Sequence, residues 1–257
     1  MRARQFNSLV QLTVREFVRS HFARAVLGVV ALAWGLAAFG ASLAITESAE
    51  FRIAFYAAAV RLGLVATTAL VVVQNVVREI DDGLRDLLLS RPLARRTWLA
   101  GKFAGGALAT TLAAALAGLP LFAWCAPAAA AAWTGALAGE LVLVGAAALT
   151  AAVSLGHFAF ASLAVGGFYV LCRSLQALVW LAEDPLLAGV SPFAEAAGSV
   201  LRGLHVLLPD LARFAPSAWL LRAAPDAAEL AFVAIETVLF AAVLVVIGMV
   251  DCERRAA

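Results

Sequence analysis

Charged residues are scarce in this sequence. Only 14% of the 257 residues are Asp, Glu, Lys or Arg, whereas about 25% are charged in a typical soluble domain. Conversely, 64% of the residues are hydrophobic, and the mean hydropathy is +0.95. A soluble core cannot bury that surplus of apolar side chains, but a bilayer can, because each spanning helix takes about 20 of them. The composition therefore predicts an all-α membrane protein.

The sequence also has few of the motifs that catalysis and metal binding need. Gly101-Lys102 is followed by Phe103, so no G-x-x-x-x-G-K-[ST] loop is present to bind nucleotide phosphates. No H-E-x-x-H and no G-x-S-x-G sequence occurs. We therefore predict no catalytic residue, no metal and no cofactor in this chain. The cysteines are too far apart to predict a disulfide framework or a zinc site: Cys125, Cys172 and Cys252.

Apolar stretches long enough to cross a bilayer recur along the chain. Spans four and five of the resulting series are separated only around Leu155-Gly156-His157. The alternative is therefore five spans with a re-entrant element at that point. In both interpretations residues 1–257 form a single transmembrane domain. The six predicted spans cover residues 23–45, 54–77, 101–125, 130–154, 157–181 and 229–250.

Basic residues are concentrated beside particular spans. Thirteen of the 19 lie before span one, between spans two and three, or after span six. With six spans these three places are on the same side of the membrane. Because cytoplasmic loops carry an excess of Lys and Arg, we expect a multi-pass protein of the cytoplasmic (inner) membrane with both termini in the cytoplasm.

Residues 1–22, before the first span, have two different faces. A basic amphipathic helix over residues 4–22 is expected to lie in the membrane interface, with its arginines on anionic lipid headgroups. The alternative is a positively charged flank that only sets the topology. The apolar and the polar faces consist of the following residues: Phe6, Leu9, Val10, Thr13, Val14 and Phe17 against Arg4, Ser8, Gln11, Arg15 and Arg19.

The connection of residues 78–100, between spans two and three, predicts a short helix. Pro92 ends it, because the residue before a proline is pushed out of the helical region. Such a helix between two spans suits the docking of a soluble partner, and a solvated connector is the alternative on spacing alone. Its apolar stripe and its charged face are Ile80, Leu84, Leu87 and Leu88 against Arg78, Asp81, Asp82, Arg85 and Asp86.

Residues 182–228, before span six, are too many for a plain connector. Ser191-Pro192 supplies an N-cap followed by a proline in the first helical position. An apolar stripe then runs from Phe193 to Leu208. We expect an amphipathic helix that lies on the outer membrane surface or caps the bundle, and that ends at Leu208-Pro209-Asp210.

Four ionisable residues fall inside the predicted spans, where a buried charge is costly and needs a reason. They are Arg61 in span two, Glu140 in span four, Arg173 in span five and Glu236 in span six. At a rise of 1.5 Å per residue, all four lie roughly 10–15 Å below the outer surface. This predicts neutralising pairs, although the pairing stays open. The four residues either line a polar path for a substrate or form static ion pairs that lock the helices together.

The run from Arg78 to Lys102 resembles the loop after the second span of ABC-2 type transporter permeases. Leu84 departs from the family's pattern, in which threonine often follows the glycine. Residues 208–214 also resemble a subgroup described as permeases for multicopper-enzyme maturation, which includes the nitrous-oxide-reductase assembly permease. The residues that carry the loop resemblance are Glu79, Gly83, the leucines 87–89, Pro92, Arg95 or Arg96, and Gly101-Lys102.

The resemblance implies that the chain is the membrane subunit of an ATP-driven exporter. Two copies of it would form a homodimer, and two copies of a separate ABC ATPase subunit, which bind ATP and Mg, would dock on the helix over residues 79–90. It implies membrane lipids as neighbours and no nucleic-acid partner. The coupling residues would be Glu79, Asp82, Gly83, Arg85, Leu87, Leu88, Pro92 and Arg95.

Two other functions compete with export. One is a non-transporting membrane subunit that transmits the motion of the ATPase to a periplasmic or envelope protein, as in the maturation of a metalloenzyme. The other is an intramembrane enzyme or a channel that works without ATP. The sequence does not identify a substrate, because spans rich in alanine, leucine and valine suit close helix packing whatever the cargo is.

Overall fold

The structure, a computed structural model, describes residues 2–43, 48–83, 95–182 and 192–254. In these residues the chain is all-helical and has no β-strand. A short 3-10 turn, Leu211–Arg213, lies between the eighth and ninth helices. The helices are α1 (Arg2–Arg19), α2 (His21–Leu43), α3 (Ser48–Asp81), α4 (Arg95–Gly118), α5 (Leu121–Trp124), α6 (Pro127–Leu155), α7 (Phe158–Ala182), α8 (Pro192–Leu207), α9 (Ala218–Leu221) and α10 (Ala227–Arg254).

Six helical segments are long and apolar enough to cross a membrane: α2, α3, α4 with α5, α6, α7 and α10. The structure thus has six candidate spanning helices, as predicted, and the fourth and fifth are separate full-length helices. The boundary between the fourth and fifth spans is set by Gly156, whose φ of 64° is left-handed and whose N–H donates to the carbonyl of Ala152 at 3.0 Å. Glycine is the usual residue at this position because it has no Cβ to clash.

Helix α6 is the centre of the bundle and packs against α3, α4, α7 and α10. Apart from Glu140 and three hydroxyl residues, its side chains are apolar on all sides, which is the pattern of a helix buried within a bundle. Trp133, Leu137 and Leu141 are completely buried on it. Gly139 lets α10 approach closely, because a Cβ there would lie 2.6 Å from Thr237 Oγ1.

Helix α3 is the longest element, with 34 residues. At 1.5 Å per residue it is about 51 Å long, whereas the hydrocarbon core of a bilayer is about 30 Å thick. It therefore extends past the span predicted for residues 54–77 and includes Glu79 in its last turns. Asp82 and Gly83 form the turn that follows, where Gly83 has a left-handed φ of 68°.

The length of α3 corrects the predicted start of the coupling helix. Glu79 belongs to the continuous helix α3 and not to a separate helix over residues 79–90, because α3 ends only at Asp81. Arg85, Leu87, Leu88 and Pro92 lie outside the described residues. Arg95 is the first residue of α4.

Helix α1 occupies the predicted N-terminal position and packs along α4. Two glycines of α4 one turn apart permit the contact: a Cβ on Gly101 would lie 2.8 Å from Leu9 Cβ, and one on Gly105 would lie 2.5 Å from Thr13 Cβ. Small residues spaced by four let two helices approach closely within a membrane. The position of α1 in a membrane interface stays a prediction.

A pair of glycine substitutions tests this contact. We expect Gly105→Ala to destabilise the packing of α1 by about 1–3 kcal/mol, the usual effect of overpacking, because the new Cβ would also lie 3.1 Å from the carbonyl oxygen of Val10. Gly106→Ala is the matched control, since its nearest neighbour, Phe17 Cζ, is 4.0 Å away. The measurement is the rate of tryptic cleavage within α1 together with the melting temperature in detergent. Equal behaviour of the two variants would contradict the assigned packing.

The segment between α8 and α10 enters the bundle and does not stay on its surface. A helix over Pro192–Leu207 is present, as predicted. After Leu208, however, the chain turns inward, and Leu211, Phe214 and Ala215 are completely buried. Residues 208–217, for which the sequence predicted only the end of that helix, therefore form an inserted segment whose apolar side chains pack between the spans.

Candidate functional site

A buried ionic cluster lies where the segment 208–217 meets the spans. Glu140, on α6, is completely buried. Its Oε2 lies 3.7 Å from Arg61 Nε on α3, and its Oε1 lies 3.6 Å from Arg173 Nη1 on α7. The hydroxyl of Tyr169 donates a hydrogen bond of 3.0 Å to Glu140 Oε1. We call these four residues the Glu140 cluster.

The two arginines of the Glu140 cluster also bind backbone oxygens of the inserted segment. Arg61 Nη2 donates to the carbonyl oxygen of Ala215. Arg173 Nη1 donates to the carbonyl oxygens of Leu211 and, at 3.2 Å, of Phe214. Each guanidinium therefore has a carboxylate on one side and the loop backbone on the other.

Glu236, the fourth ionisable residue predicted inside the spans, reaches the same segment from α10. Its Oε1 accepts a hydrogen bond of 2.6 Å from the backbone N–H of Asp210. The Asp210 side chain caps the 3-10 turn by accepting from Ala212 N at 3.2 Å and pairs with Arg213 Nε at 2.9 Å. Residues from α3, α7 and α10 thus bind one stretch of irregular backbone.

This arrangement has a physical reason. Irregular backbone at membrane depth leaves peptide groups outside any helical ladder, and each unsatisfied group costs several kcal/mol in hydrocarbon. The side chains of Arg61, Arg173 and Glu236 satisfy those groups, and Glu140 neutralises charge between the two arginines. Ala215 adopts a φ of 45°, uncommon for a residue other than glycine, and its carbonyl is one of those bound.

The sequence placed four charges at one depth, and the structure brings Arg61, Glu140 and Arg173 into a single group. The arrangement is one carboxylate between two guanidiniums, whereas separate neutral pairs were expected. Tyr169 was missed, although it precedes Arg173 by one helical turn and so lies on the same face. The contribution of residues 208–217 was missed as well, because an irregular segment carries no periodic signal.

A second ionic cluster lies at the opposite end of the bundle. Lys102, near the start of α4, is buried, and its Nζ lies 2.7 Å from Glu16 Oε2 on α1. The same Nζ donates to Glu79 Oε1 on α3. We call these three residues the Lys102 cluster. It ties together α1, the end of α3 and the start of α4.

A surface ion pair near the Lys102 cluster links the C-terminal helix α10 to α4 at this end of the bundle. Arg96 Nε and Nη2 lie 2.5 and 2.9 Å from the two carboxylate oxygens of Glu253, on α10. Both side chains are well exposed, and exposed pairs stabilise a fold only slightly. We refer to this part of the molecule as the Lys102 end, and to the part that holds residues 208–221 as the Asp210 end.

Two of the coupling residues assigned by resemblance, Glu79 and Asp82, have surroundings that differ from each other. Glu79 points into the bundle at Lys102, and its side chain is only 13% exposed, whereas Asp82 is exposed at the following turn. The pairing of Glu79 and Lys102 with Glu16 was not predicted. The sequence did hold one signal for this pairing. Lys102 is the single lysine of the chain, and Glu16 is the only acid among the first 46 residues.

The Asp210 end also carries an open hollow of about 410 Å³. Arg213, Trp219, Asp226, Glu229 and Phe232 contribute to its walls. The guanidinium of Arg213 lies over the ring of Phe232, 4.9 Å from its centroid. The hollow is therefore walled by aromatic rings and by charges of both signs. Among the described residues, no group of three or more His, Cys, Asp or Glu side chains is placed to hold a metal ion.

Comparison with known protein families and curated proteins found no match for this chain. The ABC-2 type assignment therefore stays a prediction that rests on residues 78–102 and on the order of the helices.

Proposed function

We propose that this chain is the transmembrane permease subunit of an ATP-driven exporter of the ABC-2 type. A separate ATPase, present in two copies, would bind at the Lys102 end on the cytoplasmic side, and two copies of this chain would form the transport unit. The observation that carries the proposal is the Lys102 cluster. It fastens both helices that flank residues 84–94, together with α1, through one buried lysine.

Such a cluster suits the transmission of force from a soluble motor. Hydrogen bonds between charged groups are about twice as strong as neutral ones, so the end of α3 and the start of α4 are held to each other and to α1. A force applied between α3 and α4 then moves the three helices together.

Helix α3 connects this end to the Glu140 cluster. Glu79 and Arg61 lie on the same continuous helix, about 27 Å apart at 1.5 Å per residue. A displacement of Glu79 therefore shifts Arg61, which holds the carbonyl of Ala215. In the proposed mechanism, ATP-driven motion at the Lys102 end loosens the inserted segment 208–217 and opens the Asp210 end.

Affinity purification of the full-length chain from its own host's membranes tests the proposal. We expect a protein with an ATP-binding cassette to co-purify in equal amount and to be lost with Asp82→Lys or Gly83→Pro, since proline cannot adopt the positive φ of Gly83. Glu50→Lys is the control, because this exposed acid lies on the same helix α3 at its other end. A chain that purifies alone and moves solute without ATP would sink the proposal.

The alternative, a non-transporting subunit that moves an envelope protein, is favoured by one observation. The Asp210 end carries α8, the 3-10 turn, α9 and the hollow of about 410 Å³, which is more structure than a connection between two spans needs. The co-purified complex separates the two functions. Stimulation of ATP hydrolysis by a small solute or a lipid would favour export, and stimulation by a folded envelope protein would favour the alternative.

A further inference from the structure

A small cavity of about 30 Å³ lies between α1, α3, α4 and α6. Each of these helices lines it with residues three, four or seven positions apart, which is the spacing of side chains on one helical face. On α3 these residues are Val72, Asn75 and Val76. The cavity also borders the Lys102 cluster, because Lys102 and Glu16 are in its walls.

The side chain of Asn75 lacks a hydrogen-bond partner within the protein. Its Nδ2 is buried and has no acceptor among the described residues. Asn75 lies one helical turn before Glu79, so both side chains project from the same face of α3, and Glu79 accepts from Lys102 Nζ. Buried donors in folded proteins are met by an acceptor or by ordered water.

Lys102 brings a second donor to the same place. An ammonium group carries three N–H donors, and the bonds to Glu16 and Glu79 use two of them. Acceptors are present as well, since the hydroxyl residues Thr13 and Thr110 line the cavity together with Glu16. Donors and acceptors thus surround one small space.

The size of the cavity decides which class of molecule it admits. A buried water needs about 10–15 Å³ of such space and two to four polar partners, whereas a cavity that holds benzene has about 150 Å³. A cavity of about 30 Å³ therefore admits about one or two waters and no organic ligand. A metal cation is disfavoured, because the ammonium of Lys102 already lies beside the carboxylate of Glu16, at 2.7 Å.

We propose that the cavity binds ordered water, which extends the Lys102 cluster to Asn75. The water accepts from Asn75 Nδ2 and from the third N–H of Lys102. It donates to the carboxylate of Glu16 and to the hydroxyl oxygen of Thr13 or Thr110. The site is independent of the transport function proposed above, because it depends only on the packing of α1, α3, α4 and α6.

A substitution of Asn75 distinguishes a hydrated cavity from a dry one by the sign of its effect on stability. Leucine has nearly the shape of asparagine but no polar atom. If water is bound, Asn75→Leu removes one of its partners, and we expect the melting temperature in detergent to fall by about 2–4 °C. In a dry cavity the same change removes an unsatisfied donor. An unchanged or higher melting temperature would therefore overturn the proposal.

Thr68→Val is the matched control. Thr68 is on the same helix and is completely buried, and its hydroxyl also has no partner among the described residues. It does not line the cavity, however. Valine has nearly the shape of threonine without the hydroxyl, so we expect the melting temperature to stay the same or rise. A fall as large as that of Asn75→Leu would also overturn the proposal, because the effect would then not depend on the cavity.

Nuclear magnetic resonance of the full chain in detergent detects the water without relying on the fold of either variant. Asn7 and Asn75 are the only asparagines of the sequence, so labelling the side-chain nitrogen of asparagine with ¹⁵N gives two amide signals. Asn7→Gln, at an exposed position, leaves the signal of Asn75 alone. We expect the amide protons of Asn75 to show cross-relaxation with water. An Asn75 signal without this contact would overturn the proposal.

Discussion

We expect Glu140→Gln to destabilise the bundle by about 3–5 kcal/mol, the effect of removing one partner from a buried ion pair. Glutamine preserves the size of the side chain and its hydrogen bond with Tyr169, so the change isolates the loss of charge. Arg61 and Arg173 then face each other's positive charge without the carboxylate that lies 3.7 and 3.6 Å from them. In a medium of low dielectric constant such uncompensated charge is strongly unfavourable.

The measurement is the melting temperature in detergent together with the yield of folded protein in the membrane. Glu253→Gln is the control, because it removes the same charge from the exposed pair with Arg96 and is expected to leave both quantities unchanged. The double variant Glu140→Gln, Arg61→Gln is expected to recover part of the loss, since it removes one of the opposing cations and leaves an amide to bind the carbonyl of Ala215. A double variant no more stable than the single one would contradict the electrostatic explanation.

The same variant decides between the two roles of the Glu140 cluster. Poor yield and a lower melting temperature mean that the cluster locks the inserted segment 208–217 in the bundle, the role that its contacts with backbone carbonyls favour. Normal yield with lost transport means that the charge serves a substrate path. Glu236→Gln, which keeps an acceptor for the N–H of Asp210, extends the comparison to the fourth charge.

The spans could be predicted from the sequence because their signal is local. A stretch of about 20 apolar residues is sufficient to indicate a spanning helix, and Gly156 marks the boundary that was hardest to place. The meeting of Arg61, Glu140 and Arg173 was partly predictable for a related reason: charges at one depth in hydrocarbon are stabilised by one another. The depth of a charge in the membrane, however, does not indicate which helices are neighbours.

The inserted segment could not be predicted, because its conformation depends on partners distant in sequence. The carbonyl of Ala215 is bound by a residue 154 positions earlier, and nothing in an alanine signals a positive φ. The inward direction of Glu79 was missed for a similar reason. Its partner Lys102 was assigned to the start of span three as part of a family pattern, and Glu16, 86 positions before Lys102, was not connected with either residue.

Under the proposed function, we expect Lys102→Met to uncouple ATP hydrolysis from transport. Methionine preserves an unbranched apolar chain but removes the ammonium group that holds Glu16 and Glu79, so two carboxylates are left near each other without a cation. The resulting loss of stability is about 1–3 kcal/mol, as for a buried polar group that loses its partner. Under the proposed function, the ATPase still binds and hydrolyses ATP, but transport in proteoliposomes falls to the ATP-free background because α1, α3 and α4 no longer move together.

Three further variants separate uncoupling from simple destabilisation. Lys102→Arg retains the charge and is expected to retain most of the transport, whereas Arg96→Met, which removes a cation from the same helix, should leave transport unchanged because its pair with Glu253 is exposed. The double variant Lys102→Met, Glu79→Gln removes the repulsion between the carboxylates and should regain stability without regaining transport. If the double variant regains both stability and transport, the Lys102 cluster only stabilises the fold. If Lys102→Met alone transports normally, the link between α1, α3 and α4 is dispensable, and force reaches the spans by another route.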